Sequence, residues 1–156
     1  MSYSDKSQIR CRCWSHLLLM AVMVCTVTAC AATGRIYTPA TPLPGQGLIY
    51  VYRLSAIQGG GGNWPFVANG VQELKVGNAG YYVYHAKPGN VTFSSIKPVF
   101  GSPTDFITIY VEPGEVYFVR FTMNVFTGSL SKVPFFMELV DRSIGEAEIR
   151  NLRMTE

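Results

Sequence analysis

The chain has 156 residues, 48% of them hydrophobic, 13% aromatic and only 15% charged, with a formal charge of +3. That length holds one domain with a targeting segment to spare, and that composition excludes a disordered or solvating chain. Lys6, Arg10 and Arg12 precede the first apolar run, and residues 30–156 carry ten basic against nine acidic side chains, too even a balance for a polyanion-binding surface. Nucleic acid is not expected as a partner.

The basic residues up to Arg12 lead into LLLMAVMVC at 17–25, then into small and hydroxyl residues up to Ala29. This is the three-part layout of a secretory signal peptide, whose apolar core runs to about 7–15 residues. All four cysteines, Cys11, Cys13, Cys25 and Cys30, fall within residues 1–30, so the folded part has no disulfide framework. Cys11 and Cys13 have neither further ligands at zinc spacing nor the geometry of a redox pair. Val27-Thr28-Ala29-Cys30 resembles a bacterial lipobox, with an aliphatic residue, two small residues and then the cysteine. The resemblance implies that residues 1–29 are a lipoprotein signal peptide and that Cys30 becomes the acylated first residue. Several acyl chains, at about 0.8 kcal/mol per buried CH₂, hold a protein firmly on a membrane. Ala31, where retained Gram-negative lipoproteins carry Asp, implies the outer membrane, with the domain facing the periplasm or the cell surface. An alternative stays open, because no charged residue lies between Arg12 and Arg35 and a spanning helix needs about 20 residues. An uncleaved helix there would make a single-pass protein of the inner membrane, its domain on the periplasmic side. Thr26, Thr28 and Thr33 dilute that helix.

Residues 30–46 follow as a tether from the lipidated cysteine, since the stretch AATGRIYTPATPLPGQG at 31–47 is rich in Pro, Gly and Thr. The domain proper, 47–156, reads as strands. LIYVYRL at 48–54 is β-branched and aromatic, and a glycine loop follows it at 59–62. Asn69-Gly70 between two short apolar runs predicts a hairpin. GYYVYHA at 80–86 and VTFSSI at 91–96 flank Lys87-Pro88-Gly89-Asn90, and DFITIYV at 105–111 and VYFVRFTMNV at 116–125 flank Glu112-Pro113-Gly114-Glu115. Both Pro-Gly pairs suit type II turns, and their spacing suggests a repeated hairpin. Ile107, Ile109 and Val111, and then Tyr117, Val119 and Phe121, alternate with a mixed face, as in antiparallel strands with one side on a core. A last strand near VPFFMELV at 133–140 precedes a short helix that Asp141 or Ser143 could cap, with Glu146 and Arg150 at i,i+4 spacing. The expected fold is all-β, a small antiparallel sandwich of six to eight strands with a short C-terminal helix.

In their order, GLIYVYR, the glycine loop, VANG, ELKVGNAGYYVYHAKPGNVTF, VEPGEVYFVRF and ELVDRSIGEAEI resemble a bacterial lipoprotein family built on a small β-domain of unknown function. The likeness covers roughly residues 47–152, and its Pro-Gly segments are similar to those of PEGA-type and transthyretin-like surface sandwiches. It implies an exported, lipid-anchored β-sandwich without catalytic residues or cofactor.

The residues themselves offer little for catalysis. A triad would have to combine His85 with, for example, Ser94 and Asp105, and no nucleophile elbow supports it. His85, Asp105 and Asp141 show no metal-ligand spacing, and the four glycines lack the ending of a phosphate loop. No metal and no cofactor are expected. Trp64, Phe66, Tyr82 and Tyr84 are the candidate ligand-binding residues, because aromatic rings with polar edges serve sugar or protein recognition. The plainer reading has them filling a small core. The expected function is a non-catalytic envelope lipoprotein that binds an envelope protein or a glycan. The alternative is an envelope hydrolase or metal-dependent enzyme with a site of another kind.

Overall fold

The computed structural model describes residues 32–56, 62–95, 106–123 and 135–155. Along these run strands β1 (Gly47–Arg53), β2 (Trp64–Ala68), β3 (Gln72–Val76), β4 (Gly80–Ala86), β5 (Gly89–Ser95), β6 (Phe106–Val111), β7 (Val116–Met123) and β8 (Phe135–Val140). Helix α1 (Arg142–Ile149) and the two-residue β9 (Arg153–Met154) complete the order. The strands form a five-stranded sheet, β8-β7-β1-β4-β9, and a four-stranded sheet, β3-β2-β5-β6. The fold is an all-β sandwich with a short C-terminal helix. β9 carries the strand number past eight, and two residues are too few to show a period.

β1 is the centre of the larger sheet. It runs antiparallel to β4 and parallel to β7, and all seven of its residues are buried. A near-continuous apolar run of this kind belongs to a strand covered on both faces. Ile49 and Val51 point into the core between the sheets, among Phe66, Phe93, Val111 and Val119. Leu48, Tyr50 and Tyr52 point the other way, into a second core with Phe118, Val140, Ile149 and Leu152. The larger sheet is therefore a middle layer, with the smaller sheet on one face and α1 on the other.

Eight residues of helix are too few to be stable alone in water. Contact holds α1 in place: Ile149 is buried, and a Cβ added at Gly145 would come within 2.3 Å of the Phe118 ring. Asp141 occupies the position before the helix without a side-chain capping bond, and Glu146 pairs back to Arg142 at 2.8 Å rather than forward to Arg150.

The turns divide into two kinds. Asn69 and Gly70 take φ of 52° and 70° and join β2 to β3 as the expected hairpin. The two predicted Pro-Gly hairpins are not hairpins. β4 lies in one sheet and β5 in the other, and β6 and β7 are likewise divided, so each Pro-Gly segment is an arch between sheets. Glu112-Pro113-Gly114-Glu115 keeps the type II geometry, with Gly114 at φ 81° and the Glu115 N–H donated to the Glu112 carbonyl at 3.4 Å. Gly89, at φ 120°, is already the first residue of β5, paired with Val111. A third Pro-Gly turn, Leu43-Pro44-Gly45-Gln46, lies beside the second arch: the Gly114 N–H donates to Gln46 at 2.9 Å, and the Leu48 N–H to Glu115 at 2.9 Å. The three Pro-Gly segments thus gather at one end of the sandwich.

The segment read as a tether is bonded to the domain from Ala32 onward. The Ala32 N–H donates to the Asn78 carbonyl at 3.1 Å, Gly34 to Met154 at 3.1 Å and Tyr37 to Leu152 at 3.0 Å. Ile36 bridges Arg153, so the leader lies as an antiparallel edge along β9. The Tyr37 ring packs edge-on against Tyr50 and Tyr81, at centroid distances of 5.3 and 5.7 Å. Prolines prevent helix but not this extended pairing, and Tyr37 supplies the apolar anchor that a free tether lacks.

Candidate functional site

The four aromatic residues singled out in the sequence lie along the core between the sheets. Phe66 is fully buried there, while Trp64, Tyr82 and Tyr84 are half-buried and pack against it. Tyr82 meets Phe66 edge-on with centroids 6.4 Å apart, and Tyr84 meets Phe93 at 5.5 Å. These rings fill and seal the sandwich, and Phe66 presents no surface to a ligand. Cys30 and its neighbours Val27, Thr28 and Ala29 lie outside the described residues.

The residues weighed for catalysis are not brought together. His85 is exposed on the helix-side face of β4, opposite to Tyr84, whereas Ser94 is on the outer face of β5, opposite to Phe93. Both sheets intervene between them, and Asp105 falls outside the described residues. Among the described residues no three His, Cys, Asp or Glu side chains cluster as metal ligands would.

Four side chains missed in the sequence reading form a polar clasp where α1 crosses the sheet. Tyr52 on β1 and Arg120 on β7 are register partners, and Arg120 pairs with Glu138 on β8. Arg120 Nε donates to Glu138 at 2.8 Å and its Nη1 to Glu148 of the helix, whose other carboxylate oxygen accepts from the Tyr52 hydroxyl. Burial first, and then the bond to Glu148, push the Tyr52 phenol well above its ordinary range. Arg120 is held above its usual value mainly by its bond to Glu138. Tyr52 therefore keeps its proton and Arg120 its charge at neutral pH, and the four side chains tie helix to sheet. An arginine between Val119 and Phe121 on a strand with both faces covered is the sequence signal that an acid must face it.

The two ends of the sandwich differ. The Pro-Gly end exposes Lys87, Glu112, Glu115 and Asp141. At the other end Asn78 joins two segments, its carbonyl accepting from Ala32 and its side chain accepting from the Ala56 N–H at 2.9 Å. A Cβ added at Gly77 would lie 2.8 Å from Asn63 Oδ1 and 3.5 Å from the Ala32 nitrogen, which puts the approach to Trp64 beside the leader. Arg53 is buried at this end of β1, and desolvation lowers its pKa. Exposed Arg35, Lys75 and Arg153 lie on or near the same end.

In comparison with known proteins, the chain matches no family model and no curated protein. Among the described residues no helix is long and apolar enough to cross a membrane; the apolar run at 17–25 lies outside them.

Proposed function

We propose that this protein is an exported envelope lipoprotein, acylated on Cys30, whose sandwich binds or supports a partner and turns over no substrate. The observation that carries the reading is Val27-Thr28-Ala29-Cys30 at the end of a signal-like apolar core, in a chain with no cysteine after it. A thiol at the first position of a mature chain is placed for lipid attachment and for little else. The domain supports the second half of the reading: among the described residues Phe66, Tyr82, Tyr84 and Phe93 are engaged in the core between the sheets and Tyr50, Tyr52, Tyr81 and Phe118 in the core under the helix, and the Arg120 network ties helix to sheet. The membrane is the outer membrane, reached through the lipid, and the partner is an envelope protein or a glycan. The family resemblance of residues 47–152 agrees with this reading.

Palmitate labelling with membrane fractionation tests it, comparing the natural protein with Cys30→Ser. Label and outer-membrane location that both disappear in the variant are the expected result. An unlabelled, full-length protein in the inner membrane would replace the lipid anchor with an uncleaved helix.

A further inference from the structure

We propose that the end of the sandwich built from Ala32, Asn78 and β9 is seated directly on the membrane that takes the acyl chains of Cys30, with the Pro-Gly end directed away from it. The inference rests on the lipid-anchor reading above. A lipoprotein domain on a long tether has no fixed orientation, and here the tether is missing. The Ala32 N–H is bonded to the Asn78 carbonyl at 3.1 Å, and Ala32 is only 8% exposed, its Cβ against the position a Gly80 side chain would take. Only Ala31 separates it from Cys30, and two residues of extended chain span at most about 7 Å. Beyond Ala32 the leader is fixed by Gly34, the Ile36–Arg153 bridge and the Tyr37 ring, so slack cannot be drawn from further along the chain.

The chemistry of that end fits a headgroup layer. Arg35, Lys75 and Arg153 are exposed there, and basic groups at a membrane surface are attracted to an anionic leaflet. Leu54 is 38% exposed beside them, and half-buried Trp64 adds an indole of the kind enriched at membrane interfaces. At the opposite end exposed Glu112, Glu115 and Asp141 outnumber exposed Lys87 and Arg142, so an anionic surface attracts that end less. β1 and β4 each run seven residues between the ends, about 23 Å at roughly 3.3 Å per residue. The Pro-Gly end is then the part of the domain presented to a partner in the periplasm.

The test uses the mature acylated protein in vesicles of phosphatidylethanolamine and phosphatidylglycerol with a nitroxide quencher on the headgroup. Cys30 is the only cysteine left after cleavage and its sulfur is alkylated, so Ser55→Cys and Lys87→Cys each place one fluorophore at a known end. Both positions are exposed, and Ser55 neighbours Ala56, which Asn78 holds. The label at 55 is expected to be quenched at least about threefold more than the label at 87, because the ends lie roughly 20 Å apart. Equal quenching in a protein whose mass shows its acyl chains overturns the seated orientation and leaves the lipid anchor standing. A mass without acyl chains overturns the anchor itself.

Discussion

The two sheets of this sandwich carry similar residues and bury them differently. β1 of the larger sheet is buried at all seven positions, because α1 and the leader cover the face that the smaller sheet does not. β6 of the smaller sheet alternates, with Phe106 and Tyr110 each 66% exposed and Val111 fully buried. Tyr50 and Tyr110 thus make opposite contributions to the fold although each is a tyrosine within a strand. What separates them is a second layer on one sheet and open solvent on the other. The residue type says how much area a side chain can bury, and the layer above it decides whether that area is buried.

The sharpest way to break this comparison is to truncate Tyr50. Its ring stacks on Phe118 at 5.2 Å, meets Tyr37 and Tyr81 edge-on, and its hydroxyl accepts from the Ala40 N–H at 2.8 Å. Tyr50→Ala opens a cavity in the second core and releases the leader, so denaturant unfolding should show a loss of about 3–5 kcal/mol. A loss below about 1 kcal/mol would mean that the layer over the larger sheet adds little to stability.

The helix gives the next largest effect. Gly145→Ala puts a methyl group where the Phe118 ring lies, and the neighbouring Phe118 atoms leave it no space either. Alanine favours helix by about 1 kcal/mol over glycine, but overpacking costs about 1–3 kcal/mol and here must push α1 off the sheet. Unfolding curves should place the variant about 2 kcal/mol below the natural protein, and a more stable variant would show that the helix shifts at no cost.

How much of this was legible in the sequence depended on the range over which each signal acts. Strand positions such as 106–111 and 116–121 follow from local alternation, and Asn69-Gly70 announces its hairpin because positive φ at both positions suits little else. The Pro-Gly segments misled because the turn geometry is the same whether the next strand pairs with the last or crosses to the other sheet. Only the pairing of β1 with both β4 and β7 decides that, and it joins residues far apart in the chain. The clasp was hidden for the same reason, with Tyr52, Arg120, Glu138 and Glu148 drawn from four elements. Prolines and glycines made 30–46 read as tether, although Tyr37 in the middle of it is a core residue by its contacts. The candidate aromatic residues were legible as rings that could fill a small core, but the sequence does not say which rings face each other.

The clasp predicts a smaller effect with a pH signature. Tyr52→Phe keeps the ring and removes the hydrogen bond to Glu148, a charged acceptor, at a cost of about 1.5 kcal/mol. Tyr37, Tyr52 and Tyr81 all have their phenol pKa raised, each chiefly by burial. The folded chain therefore keeps protons that the unfolded chain loses above about pH 10. Their contribution to stability is complete below that pH and is lost as pH rises toward the folded values. Unfolding midpoints measured upward from pH 9 should fall, and Tyr52→Phe should flatten the fall. An identical slope in the variant would separate the alkaline loss from the clasp.

The smallest effect is expected on the open face of the smaller sheet, and it tests the comparison from the other side. Tyr110 shares that face with Thr92 and Thr108, whose hydroxyls lie 2.8 Å apart across β5 and β6. Tyr110→Thr removes a ring that is two-thirds in water and substitutes a residue with comparable strand preference, so stability should change by no more than about 0.5 kcal/mol. The same tyrosine-to-threonine change at position 50 removes a fully buried ring, and the ratio of the two losses measures what the covering layer contributes. A loss at Tyr110 approaching that at Tyr50 would mean that the outer face of the smaller sheet is covered in solution. In that case the missing layer would be a partner or a second copy of the chain, and dilution of the natural protein should lower its unfolding midpoint. A midpoint independent of concentration, together with a neutral Tyr110→Thr, leaves the smaller sheet with a solvated outer face, and α1 with the leader as the layer added on the other side of the sandwich.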